Sequence, residues 1–242
     1  MLEELQRKIE KTYAMDTGIE DVGKFIIGDK TYQRLYGDER IVTSINSSNT
    51  GARVLIRQYA EPLRVSLYYP NWMIEKLEKN DPRFGVYDIN IDEVAVFVEE
   101  LDHLLLIAQN YKHQKPFSLL GLELHANITK YLVLSYFIAN QMALPRLNPV
   151  FRELLKRHLF EENQYVRKAE PSQAQERLRL VARNEAISKS PQEIRRYKEA
   201  NRLAWKYINF LEELDKETYL QEIRKFNKLT STEMVSYIEK IA

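Results

Sequence analysis

The chain contains no cysteine. Disulfides, thiolate zinc sites, iron–sulfur clusters and cysteine nucleophiles are all excluded by that one absence. It also fits a reducing, cytoplasmic setting. Glycine is scarce, at 7 of 242 residues. No Gly-x-Gly-x-x-Gly, Gly-x-Ser-x-Gly or His-Glu-x-x-His occurs, so the usual dinucleotide, serine-hydrolase and zinc-protease signatures are missing. Gly23-Lys24-Phe25-Ile26-Ile27-Gly28-Asp29-Lys30-Thr31 comes nearest to a phosphate loop. There the lysine must follow the second glycine directly to reach the phosphates, and Asp29 intervenes with a negative charge.

Long apolar runs are missing too. The most apolar stretch, residues 117–144, is interrupted by Glu123, His125, Asn127 and Lys130. A membrane-spanning helix needs roughly 18 uninterrupted apolar residues and tolerates such groups poorly. A core helix and no membrane association are expected. The start, Met1-Leu2-Glu3-Glu4-Leu5, is acidic and amphipathic and does not have the form of a secretory leader. An excess of either charge is absent, with 36 basic against 35 acidic residues. The distribution is uneven, however. Residues 1–145 are slightly acidic and residues 146–242 slightly basic.

What is present reads as α+β. Leu2, Leu5, Ile9 and Tyr13 have helical spacing. The period then changes to two. Residues 25–27, 41–45, 54–59 and 63–69 read as short strands, with turns at 46–51 and at Ala60-Glu61-Pro62. In the last strand Leu63, Val65, Leu67 and Tyr69 share one face, which describes a half-buried antiparallel strand. Asn71 is expected to cap a helix through Leu77, and Asn90-Ile91-Asp92-Glu93 has the form of a capping box opening a helix to about Asn110. A connector at 112–116 is short enough to make the following helix, 117–141, its antiparallel neighbour. Further helices are predicted near 149–162, 172–188, 191–215, 217–227 and 231–241, with strong starts at Ser190-Pro191-Gln192-Glu193 and Thr230-Ser231-Thr232-Glu233. The expected fold is a small N-terminal antiparallel sheet of three to five strands packed on a helical hairpin. A mainly helical region follows. The expected division is 1–145 and 146–242, the second part a basic all-helical region able to pack on the first.

One constellation carries chemistry. Glu99, Glu100 and His103 lie within one turn of each other on the first hairpin helix, and Glu123, Asn127 and Lys130 form a stripe on the second. His125 is only two residues from Glu123 and points to another side. Carboxylates with neutral imidazole suit zinc, iron or manganese, or general acid–base work. Glu-x-x-His is also half of the ligand set of carboxylate-bridged di-metal bundles. The second half is missing, because Leu122 stands three residues before His125. The favoured expectation is a polar network holding the two helices in register, with Lys130 paired to Glu99, Glu100 or Glu123.

The second signal is basic. Arg177, Arg179, Arg183, Lys189, Arg195, Arg196, Lys198, Arg202 and Lys206 accumulate near Tyr197, Trp205 and Tyr207. Such helices can bind phosphate backbones and stack bases, here through Arg195, Arg196, Lys198 and Arg202. A solvated helix face is the preferred reading. Fifteen tyrosines are many, and Tyr59, Tyr68, Tyr69 and Tyr87 are candidates for a cluster at the sheet edge that meets a partner. The leading functional expectation is a non-catalytic regulatory or assembly protein with a protein partner or a homo-oligomeric state. A metal protein or enzyme comes second and a nucleic-acid binder third.

Overall fold

The computed structural model describes residues 1–36, 43–46, 51–57, 64–161 and 190–241. The fold is α+β, with nine α-helices and a four-stranded sheet among the described residues. The helix expected at 172–188, the arginines of 177–183, Lys189, Tyr59 and the Ala60-Glu61-Pro62 turn lie outside them.

Helix α1, Leu2–Tyr13, forms as its spacing predicts. Leu5, Ile9 and Tyr13 are buried on one face, Glu3 and Glu4 sit at its positive end, and Ala14 closes it in the left-handed region. A 3₁₀ turn at Val22–Phe25 leads to β1, Ile26–Ile27. Helix α2, Asp29–Tyr36, has no counterpart in the sequence reading. Asn71 helps to explain it. Its side-chain oxygen accepts from the Asp29 amide at 3.3 Å. Asn71 therefore serves the start of α2 and is the first residue of α3, Asn71–Lys79, which has no side-chain cap.

Strands β2 (Thr43–Asn46), β3 (Arg53–Arg57) and β4 (Arg64–Tyr68) pair antiparallel. The short β1 adds to the edge of β4 in parallel, giving the order β1-β4-β3-β2. The sheet is thus mixed and not wholly antiparallel. Parallel neighbours need a crossover, which here runs through α2 and the β2–β3 hairpin. The predicted alternation holds toward the end of β4, with Leu67 and Tyr69 fully buried and Tyr68 half-buried between them, while Val65 and Ser66 are both half-buried. Tyr69 stacks on Phe97, with ring centres 4.7 Å apart, and its hydroxyl donates to the Phe97 carbonyl at 2.7 Å. Tyr68 turns the other way, onto Tyr32, while Tyr87 is exposed in the loop before α4. Of the expected cluster, Tyr68 and Tyr69 diverge because alternate strand positions face opposite sides, and Tyr59 lies outside the described residues.

Helices α4, Ile91–Lys112, and α5, Leu119–Gln141, form the hairpin. Cross-contacts of Glu99 with Lys130 and of His103 with Glu123 give the antiparallel register. Asn90 precedes α4 but makes no capping bond. Its side chain instead accepts from the Tyr87 amide and donates to the Asn80 and Gly85 carbonyls, which spends it on the loop of residues 80–90.

The remaining helices are α6 (Pro149–Phe160), α7 (Pro191–Glu213), α8 (Lys216–Phe226) and α9 (Ser231–Lys240). Ser190 and Thr230 both form the expected capping boxes. The sheet, α1 and α3 pack on α4, while α6, α7 and α9 pack on α5. Gly121 marks the α5–α9 approach, since a Cβ there would stand 2.1 Å from the Ser231 hydroxyl. The hairpin is therefore the middle layer, and one hydrophobic core draws residues from both sides of position 145. Every residue of α4 from Glu93 to Ile107 is buried, charged ones included. A helix covered on all sides gives its polar residues no route to water.

Candidate functional site

The polar residues of the hairpin do not meet as one cluster. They divide between the two flanks of the α4–α5 seam. Spacing explains the division, because positions two apart on a helix, such as Glu123 and His125, cannot share a face.

The flank toward α7 holds the charges. His103 and Glu100 are fully buried, and Glu123 nearly so. The His103 Nδ1 lies 3.7 Å from a Glu100 oxygen, and its Nε2 lies 3.9 Å from a Glu123 oxygen. Both separations exceed hydrogen-bond length, and neither ring nitrogen has a hydrogen-bond partner. Glu99, one turn before His103, pairs with Lys130 in a buried contact. Helix α7 completes the cluster. Arg196 brings its guanidinium to 3.9 Å from Glu123 with its side chain mostly covered. Asn127 donates to Asn201 of α7 at 2.9 Å.

Electrostatics follow from this crowding. Burial pushes the His103 imidazole toward its neutral form, but the carboxylates of Glu100, Glu123 and Glu99 outweigh it and raise its pKa to about 9. Burial raises the Glu123 carboxyl to about 7, opposed by His103, Lys130 and Arg196 and reinforced by Glu99. Tyr197 is held neutral well above its ordinary range, by burial and by the nearby Glu123 and Glu99.

The flank toward α1 is a hydrogen-bonded chain. The Tyr13 hydroxyl and the Thr129 hydroxyl are 2.8 Å apart. Thr129 donates to Asp102 at 2.7 Å, and His125 Nδ1 meets the other Asp102 oxygen at 2.8 Å. The Tyr13 ring also lies over His125, with centres 4.3 Å apart. Burial and Asp102 push the Tyr13 phenol well above its ordinary range, so it stays a donor.

Of the seven expected network residues, Glu99, Glu100, His103, Glu123 and Lys130 come together, and Lys130 takes Glu99 as its partner. His125 goes to the opposite flank, and Asn127 reaches across to α7. Asp102, Thr129, Tyr13 and Tyr197 were not among the expected residues. Asp102 had a legible signal as one more acid inside the run of 94–107. The others did not, because their roles depend on which helices become neighbours. No group of three or more His, Asp or Glu side chains among the described residues is arranged to hold a metal ion.

The basic candidates separate as well. Arg196 turns inward to Glu123. Arg202 is held by Glu199 at 2.7 Å and by Glu239. Arg195 and Lys198 are exposed. No helix among the described residues is long and apolar enough to cross a membrane. No known protein family, curated protein or solved structure matches this chain.

Proposed function

We propose that this protein is a non-catalytic regulatory or assembly component that acts through its outer surface, with its buried charges serving to lock the helices in register. The observation that carries the reading is the burial of the ionisable groups. Glu100, Asp102, His103 and His125 are each 0% exposed. A catalytic group must reach the reacting atoms of a substrate, and these four are sealed between packed helices.

The outer surface offers a face for a protein partner at the end of the hairpin where α4 begins and α5 ends. Phe84 is 83% exposed and Ile89 56%, and on α6 Val150 is 67% and Leu154 56% exposed. Val150, Leu154 and His158 are spaced by four along one stripe of α6, and His158 bonds to Asp92 at 2.8 Å. The Val86 amide donates to Gln141 at 2.9 Å, which ties the loop bearing Phe84 and Ile89 to the end of α5. Exposed apolar side chains that form a contiguous patch mark interaction sites, and we assign these four to such a face.

Native mass spectrometry and light scattering across a concentration series test the reading. A homo-oligomer or a stable complex with another chain is expected, and Phe84→Ser with Leu154→Ser should dissolve it while the helical circular dichroism persists. A monomer that turns over a substrate overturns the proposal. So does stoichiometric zinc, iron or manganese that is lost in His103→Ala.

A further inference from the structure

A cavity of about 460 Å³ lies between the end of α6 and the outer face of α7. That size falls within the roughly 300–1,000 Å³ typical of small-ligand sites. Its floor is aromatic, formed by Phe160 and Trp205, whose rings meet edge to face at 6.2 Å. Its ionisable lining residues are all cations: Lys198, Arg202 and Lys206. They recur every four residues, so they line one side of α7 over two turns, about 12 Å.

Arg202, Lys206 and Asn209 are held in place by bonds, and the last two keep donors over. Arg202 is fixed by Glu199 and Glu239. The Lys206 ammonium donates one of its three N–H groups to the Glu239 carbonyl at 3.1 Å, which positions it and leaves two. Asn209 accepts from Lys156 through its side-chain oxygen at 2.5 Å, which presents its amide N–H₂ group as a further donor. Aromatic floor and cationic wall together match a flat ring that carries a phosphate.

We propose that this cavity binds a nucleotide, its base against Trp205 and Phe160 and its phosphates against Lys198 and Lys206. A free nucleotide fits better than a polynucleotide strand. The cations extend over only two helical turns, too short a track to follow a polynucleotide backbone. This site is separate from the apolar face at the hairpin end and stands or falls independently of it.

The chain has two tryptophans, so Trp72→Phe leaves Trp205 as the sole indole reporter. In that background ATP is expected to quench Trp205 saturably in the micromolar to millimolar range, and to raise the thermal midpoint. Adenosine and tripolyphosphate alone should each bind more weakly. Lys198→Glu with Lys206→Glu should weaken ATP by roughly ten-fold or more through lost charge-assisted hydrogen bonds, with the circular dichroism unchanged. Absence of quenching at millimolar ATP overturns the proposal, as does affinity unmoved in the folded double variant. Tripolyphosphate binding as tightly as ATP overturns it in favour of a bare polyphosphate. An oligothymidylate that binds more tightly than ATP, with a steep salt dependence, overturns it in favour of a polynucleotide.

Discussion

The two flanks of the central hairpin solve the same problem differently. Toward α1, one carboxylate, Asp102, receives two short hydrogen bonds, from Thr129 and His125, and Tyr13 extends the chain. Toward α7, three carboxylates face one imidazole and two longer cationic side chains, and the central His103 contacts stand at 3.7 and 3.9 Å. The first flank holds Asp102 by directed hydrogen bonds, although the buried His125 Nε2 has no hydrogen-bond partner, and the second balances its charges by proximity. Hydrogen bonds weaken steeply with misalignment, whereas Coulomb attraction falls only with distance. The α1 flank should therefore specify geometry, and the α7 flank should respond to charge and pH.

The largest expected effect tests the charged flank. Glu99→Leu takes the Glu99 carboxylate away from the buried Lys130 ammonium and should lower the unfolding free energy by roughly 3–5 kcal/mol. Glu99→Leu with Lys130→Met should cost much less than that single change, because replacing both members of a buried pair removes the desolvation problem. Urea denaturation of the set measures it, and a double variant as unstable as the single would remove the pair as the cause.

Next comes pH. The folded protein holds the His103 proton more tightly than the unfolded chain, with a pKa of about 9 against 6.5. Its stabilisation is full below pH 6.5 and is lost as pH rises through about 9. Glu123, raised to about 7 from 4.5, adds a loss of the same sign between those values. Stability should decline by an amount on the order of 3 kcal/mol from pH 6 to pH 10 through His103. His103→Gln should flatten that slope, and an equal slope in both proteins would show that the imidazole does not carry it.

The directional flank should give smaller numbers. Asp102→Asn keeps the shape but replaces one acceptor oxygen with a donor, and should cost about 1–3 kcal/mol. Tyr13→Phe removes only the end of the chain and should cost about 0.5–1.5 kcal/mol. Thermal melts resolve both, and a Tyr13→Phe loss larger than that of Asp102→Asn would reverse the proposed order of the chain.

Much of the fold was legible. Helix spacing placed α1, and the short connector at 112–116 predicted the antiparallel hairpin. Ser190 and Thr230 marked two helix starts because capping is a local event. Predictions that depended on distant chain failed. Asn71 caps α2 in place of its own helix, Asn90 serves a loop, and β1 joins the sheet in parallel. Within the site, Glu99, His103, Glu123 and Lys130 were readable from spacing and connector length. Tyr13 and Arg196 were not, since nothing local tells a residue at position 13 or 196 that it will face position 129 or 123.

Periodicity and connector length by themselves determined that two apolar helices would run side by side with acids and histidines along them; that those groups are buried is a property of the packed structure. Only the tertiary structure decided how those groups were shared out. Covering α4 and α5 on opposite sides placed α1 against one polar stripe and α7 against the other. A buried charge must take its partner from whichever element lies nearest, and that choice is made by packing across the whole chain.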